Sequence, residues 1–341
     1  MDVLSDVLRV IRLSGAVFFT TEFTAPWSII SPAARILAPL VMPKAECITI
    51  FHILAEGTSL AEVKGEPPIE MQPGDVLVVP HGDEHILASS LDVKPASMDQ
   101  VIPKIPFAGM PPVIHGGGGK VTRFVCGFLS CDQRFKPLYS HMPKLLCVRS
   151  RAGDVVVEAA GSRPRAAEGG APFHRTMWLN TTLYYLMQEA TAPRPGNESV
   201  LSRLTETMFV EVLRQYMEEL PPEHKGWLAG LNDPQVGRAL SMIHAEPARA
   251  WTVDDLARET GVSRSGLADR FTKLIGESPI NYLTIWRMHL ARQLLAESGL
   301  SAGEVALRVG YDSEYAFNRA FKRHVGQPPA TWRRKTSSAS V

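Results

Sequence analysis

Between residue 16 and about residue 160, apolar residues come in short runs: AVFFTTEF (16–23), CITIFHIL (47–54), DVLVVP (75–80), KVTRFVCGFL (120–129) and DVVVEAA (154–160). Each run is rich in β-branched and aromatic residues, and Pro/Gly clusters such as MQPGD, VPHGD and HGGGG separate them. The pattern predicts the strands of a barrel or jelly roll. Residues 161–172, GSRPRAAEGGAP, predict a flexible break, and from Phe173 the apolar period becomes helical. A helix from about Val200 to Leu220 puts Leu204, Met208, Val212 and Leu213 on one face and stops at Pro221-Pro222. Such a stripe must cover something, either its own domain or a second subunit. The opening MDVLSDVLRVIRLSG is apolar at helical spacing but carries Asp2, Asp6, Arg9 and Arg12. Those charges predict an amphipathic helix rather than a signal peptide.

The C-terminal part repeats itself. Leu256-Ala257, Gly261, Phe271, Gly276 and Pro279 reappear as Val305-Ala306, Gly310, Phe321, Gly326 and Pro329, 49 or 50 residues later. A helix-turn-helix needs a small residue where its helices cross, a turn residue tolerant of positive φ, and a capped second helix. Copy one, about 252–276, supplies Ala257, Gly261 and Ser263 for these roles. It is expected to bury Leu267, Phe271 and Leu274 and to offer Arg264, Ser265, Ala268, Asp269 and Lys273 to DNA. Copy two, about 301–325, supplies Ala306, Gly310 and either Asp312 or Ser313 as cap. It buries Phe317 and Phe321 and offers Glu314, Tyr315, Asn318, Arg319 and Lys322; Asn and Arg can make bidentate contacts to base edges. The helix between the copies, about 279–298, would be roughly 30 Å long at 1.5 Å per residue. That is close to the roughly 34 Å between successive major-groove faces.

Charge sharpens this picture. Net charge is only +1 over 341 residues, but residues 231–341 hold 15 Lys and Arg against 11 Asp and Glu, a net +4, and residues 1–230 carry −3. The 45% hydrophobic and 21% charged content is that of a globular protein, and no run of about 18 apolar residues predicts a membrane span. The expected architecture is multidomain, β plus α: a β-barrel sensor over 1–165, a helical connector over 173–232 that dimerises, and an all-α DNA-binding domain over 233–335.

GYDSEYAFNRAFKRHVGQPPATWRR (310–334) resembles the C-terminal signature of the AraC/XylS transcription regulators, and WTVDDLARETGVSRSGLADRF (251–271) resembles that family's first helix-turn-helix. The resemblance implies base contacts at Glu314, Tyr315, Asn318 and Arg319 in copy two and at Ser265, Ala268 and Asp269 in copy one. Asp269 departs from the pattern, because many relatives carry a basic or amide residue there; a carboxylate repels phosphate, so copy one is expected to read sequence weakly. Upstream, Gly74-x5-Pro80-x-Gly82-x2-His85 resembles the second cupin motif, with Ser89 where Asn is usual. FHILAEG (51–57), HGGGG (115–119) and GWLAGLNDP (226–234) extend the likeness to a cupin-sensor subgroup. The implied protein is a cytoplasmic, dimeric activator or repressor that binds double-stranded DNA and a small-molecule effector, with RNA polymerase a candidate partner and no membrane.

The remaining chemistry is sparse. Catalytic cupins hold metal with a His-x-His…Glu set plus the His of the second motif; here His85 stands without a His-x-His, and His52 is alone in its strand. No metal, no cofactor and no enzyme activity are expected. His81, His85, His115, Cys126, Cys131 and His141 have ligand chemistry but no diagnostic spacing. The four cysteines, Cys47, Cys126, Cys131 and Cys147, form no CxxC pair and are expected to be reduced and buried. HGGGGK lacks the flanking residues of a phosphate loop. An effector pocket is expected around Trp27, His52, His81, His85, Phe124 and Cys126, a mostly apolar set with a few polar groups. Two competing readings are a metal-dependent cupin enzyme fused to a DNA-binding domain, and an architectural DNA binder without an effector.

Overall fold

Strands form where the runs predict them, and helices dominate from residue 173 onward in the computed structural model, which describes residues 2–11, 14–42, 45, 47–97, 101, 112–131, 135–151, 154–160, 173–191, 194–221 and 223–338. The expected break at 161–172 lies outside the described residues. Backbone contacts gather the chain into two units, one made of Leu13–Asp132 and Met142–Leu220, the other of Met1–Arg12, Gln133–His141 and Pro221–Val341.

The β-rich unit holds two sheets that share one core. Seven strands run in the order β12 (Asp154–Ala159), β11 (Leu146–Arg151), β6 (Val76–Val79), β3 (Cys47–Glu56), β10 (Val121–Cys131), β1 (Ser14–Thr24), β9 (Val113–Gly116). Five more run β5 (Ile69–Met71), β4 (Ser59–Val63), β7 (His85–Ala88), β2 (Ser28–Ser31), β8 (Ala96–Ser97). Pairing is antiparallel except for β1 with β9 and β2 with β8. Phe19, Trp27, Ile29, Ile50, Leu77, Phe124 and Leu145 fill the core from both sheets. The HGGGG connection before β10 is constrained by packing, since a Cβ on Gly116 would overlap the Thr24 carbonyl oxygen.

Helices α4 (Phe173–Thr191) and α5 (Asn197–Glu219) belong to this unit. Met208, Phe209, Val212 and Leu213 are buried, and α5 packs on α4, β1 and β12. Its apolar stripe therefore covers its own sheet, and the connector face on which dimerisation was expected is used within the chain. Leu204 is half-buried. Cys47 also departs from expectation: it is disulfide-bonded, and its register partner on β10 is Cys131. Two cysteines 84 residues apart become neighbours only through strand register, which the spacing does not reveal. Cys126 and Cys147 are buried thiols outside any disulfide.

The helical unit contains more than the C-terminal repeat. Helix α1 (Val3–Ile11) is strongly amphipathic, buries Val3, Leu4, Val7, Val10 and Ile11, and packs on α7 (Pro234–Ala245) and α10 (Pro279–Glu297). Phe135, just before the short α3 (Lys136–Tyr139), is fully buried. Its ring centre lies 5.6 Å from Trp227, 6.2 Å from Tyr282, 6.1 Å from Trp286 and 5.2 Å from His289. Trp227, on α6 (Trp227–Asn232), donates its indole N–H to the Tyr282 hydroxyl at 2.9 Å. That hydroxyl is then the donor to His244 Nε2 at 2.8 Å.

Candidate nucleic-acid interface and buried cavity

Both helix-turn-helix copies are capped as their sequences suggest. In copy one, α8 (Val253–Thr260) starts with a Thr252/Asp255 capping box, Gly261 turns at φ +74°, and Ser263 caps α9 (Arg264–Ile275). In copy two, α11 (Ala302–Arg308) starts with a Ser301/Glu304 box, Gly310 turns at φ +83°, and Ser313 caps α12 (Glu314–Val325). Ala257 and Ala306 are buried at the two crossings. Leu267 and Phe271 are buried, but Leu274 is half-buried and Ile275, four residues after Phe271, completes the apolar face.

The outward faces differ. In copy two, Glu314, Tyr315, Asn318, Arg319 and Lys322 line an open groove of about 280 Å3 with Ala302 and residues 328–330. Tyr315 is 72% exposed, and the Arg319 guanidinium lies 5.8 Å from its ring centre. Asn318 Oδ1 is buried without a partner, a spare acceptor at the edge of the groove. In copy one, Arg264, Ser265, Asp269 and Lys273 are exposed and Ala268 is half-buried. Arg264 leans toward Asp254 at 3.7 Å.

Inside the β-rich unit, three of the six expected pocket residues meet. His85 Nδ1 lies 2.8 Å from the Asp83 carbonyl oxygen, which can only accept, so Nδ1 carries the proton. Burial holds His85 down to about 4, so at neutral pH its Nε2 is bare. His52 Nε2, 2.7 Å away, must therefore donate to it. Burial also keeps His52 neutral, leaving Nδ1 to accept from the Cys126 thiol at 2.8 Å. Burial pushes that thiol well up, so it remains protonated. Both nitrogens of His52 and of His85 are thereby satisfied.

Beside the chain is a cavity of about 20 Å3, room for a single water, lined by Phe19, Thr21, Phe23, Ile29, Ser31, His52, Leu87, Val113 and Cys126. The lining adds seven residues that the sequence reading missed; Phe19, Thr21 and Phe23 follow the period-two alternation of β1 and were available to it. Trp27 and Phe124 stand behind the lining, their rings 4.7 Å and 6.3 Å from Phe23. His81 does not join them; its Nε2 reaches the Met142 carbonyl at 3.0 Å. Among the described residues no three His, Cys, Asp or Glu side chains are arranged so that they could hold a metal ion. Two imidazoles turned on each other do not make a zinc or non-haem iron donor set.

The sequence matches the family pattern described as a cupin over residues 2–162 and 164–218, and the pattern described as a helix-turn-helix domain over 256–335. A protein of Streptomyces lividans named as an AraC-like transcription regulator is 30% identical over 98% of both chains. The chain belongs to the AraC-like transcription regulators. The RCS-specific helix-turn-helix transcriptional activator RclR of Escherichia coli is 23% identical over 98% of both chains. Among solved structures, the DNA-binding domain of AdpA in complex with a target DNA aligns at TM-score 0.30 and 30% identity, over 31% of this chain and 96% of that one. This AraC-like regulator carries a cupin-type N-terminal domain and a C-terminal helix-turn-helix domain. Its cupin match runs to residue 218, which agrees with α4 and α5 folding as part of the β-rich unit.

Proposed function

We propose that this regulator is effector-controlled: a small molecule entering the cavity of the β-rich unit alters how copy one engages double-stranded DNA, while copy two does most of the base reading. One observation carries the reading. Strands β1 and β10 line the cavity through Phe19, Thr21, Phe23 and Cys126, and in the sequence they run directly into the two segments buried around copy one. α1 ends at Ile11, three residues before β1, and Phe135 comes four residues after β10 ends. A displacement of either strand pulls on a segment that completes the packing behind copy one. An effector can use this route only if it binds one arrangement better than the other. RNA polymerase would be met at the promoter, in the cytoplasm.

The test fills the cavity without touching the DNA face. Leu87→Trp and Val113→Phe are titrated, in the full chain, against an operator selected from random duplexes. Operator affinity is expected to change about fivefold or more, the usual lower range of allosteric coupling. Unchanged affinity in both variants, with folding verified by thermal unfolding, would reject effector control and favour an architectural DNA binder.

A further inference from the structure

The hydrogen-bond inventory of the cavity restricts what can occupy it. His52, His85 and Cys126 satisfy one another and Asp83 in a neutral, closed chain, so they offer an incoming group neither a spare proton nor a charge. Phe19, Phe23, Ile29, Leu87 and Val113 supply apolar wall. Two hydroxyls remain in the lining, those of Thr21 and Ser31. Of these, Thr21 is 4% exposed and its Oγ1 stands buried without a partner. A carboxylate, phosphate or ammonium group would enter with no counter-charge among the described lining residues, and an unpaired buried charge is the costliest occupant. A pure hydrocarbon would leave the Thr21 hydroxyl unsatisfied.

Building on the effector reading, we infer that the cavity takes a small uncharged alcohol or carbonyl compound, its one polar group hydrogen-bonded to Thr21 and its apolar body against the phenylalanines. Because the cavity of about 20 Å3 has room for no more than a water-sized group, the ligand must widen the space between the lining side chains. The bound and free proteins therefore differ in β1, the strand that carries Thr21.

The test is calorimetric titration of the full chain with benzyl alcohol, toluene, benzoate and benzylamine, repeated with 1-butanol, butyrate and butylamine, on wild type and Thr21→Val. The neutral alcohols are expected to bind. Thr21→Val weakens them about three- to tenfold, the worth of one hydrogen bond, while toluene, relieved of the unpaired hydroxyl, binds no more weakly than to wild type. The carboxylates and amines bind at least about 100-fold more weakly. Thr21→Val also raises the Tm of the unliganded protein, because it removes a buried unpaired hydroxyl, and this verifies that the variant folds. Benzoate or benzylamine binding as tightly as benzyl alcohol overturns the inference. So does an alcohol affinity indifferent to Thr21→Val, or no binding by any neutral probe up to its solubility. The failures separate: probes that bind but leave operator affinity unchanged reject effector control and keep the site, whereas cavity-filling variants that shift operator affinity without probe binding reject the ligand class and keep the control.

Discussion

The two helix-turn-helix copies share a plan but are held together differently. Copy two has a local hydrophobic core: among the described residues, Met288, Ala291, Leu295, Val305, Phe317 and Phe321 cluster with residues between Met288 and Trp332. Copy one leans on Tyr282, which packs on Phe271 at 5.7 Å and is itself walled by Trp227, His244 and the imported Phe135. Behind that wall sits α1, from the other end of the chain. The copy with the weaker base-reading face is thus the one whose packing depends on distant segments. The lesson is a division of labour: a locally packed unit that reads DNA, beside a unit whose geometry other parts of the chain can set.

The largest expected effect follows from removing the imported ring. Phe135→Ala should cost about 3–5 kcal/mol, the usual price of truncating a buried phenylalanine. Hydrogen exchange should show the loss in α8 and α9 and not in α11 and α12. Uniform loss of protection across both copies would erase the contrast.

The turns come next. A Cβ on Gly310 would overlap the Ala248 carbonyl oxygen and sit 2.7 Å from Ala248 Cα, whereas a Cβ on Gly261 meets nothing within 4 Å. Both glycines have positive φ. Gly261→Ala should therefore cost only the left-handed strain, about 1–2 kcal/mol. Gly310→Ala should add about 1–3 kcal/mol of overpacking. Equal losses in denaturant titrations would show that the Ala248 loop yields freely.

Base reading is a smaller term. Arg319→Ala should weaken operator binding by about 1–3 kcal/mol, or 5- to 150-fold, and relax preference at one base. Asp269→Ala should change affinity less, and Lys322→Ala should weaken all sequences alike and lower the salt slope by about 1. Gel-shift titrations on operator and scrambled DNA at two salt concentrations separate these outcomes. Specificity lost with Asp269→Ala but kept with Arg319→Ala would reverse the assignment.

The mildest effect is acid sensitivity. His244 and His289, both packed in the wall behind copy one, are held down to about 3 by burial, with Arg292 adding to the effect on His289. Below the ordinary histidine value near 6.5, the unfolded chain takes up protons that the folded chain refuses, so stability falls as pH drops toward 3. At about pH 6 the loss is below roughly 1 kcal/mol per histidine. Copy one should lose exchange protection before copy two on an acid scan; the reverse order would contradict the burial of these two rings.

Much of this was legible in the sequence wherever the signal is local. Ser263, Gly261, Ser313 and Gly310 announce both turns because capping and positive φ are decided within a few residues. His85 was legible through its glycine and proline spacing. Its company with His52 and Cys126 in one pocket was expected, but the direct hydrogen bond between the two rings was not, because it depends on how two sheets face each other across a core. The destination of α1 was equally hidden: amphipathicity says that one face is buried, not what buries it. The stripe on α5 carried both meanings, its own domain or a second subunit, and the sheet took it.

The placement of α1 has a consequence for biosynthesis. The α7 and α10 surfaces that cover its apolar face are made more than 220 residues after it. At about 5–20 residues per second, Val3, Leu4, Val7, Val10 and Ile11 wait on the order of ten seconds or more for their partners. Throughout that interval the nascent chain carries an uncovered amphipathic helix. A chain that stalls or terminates before α10 would release that helix uncovered.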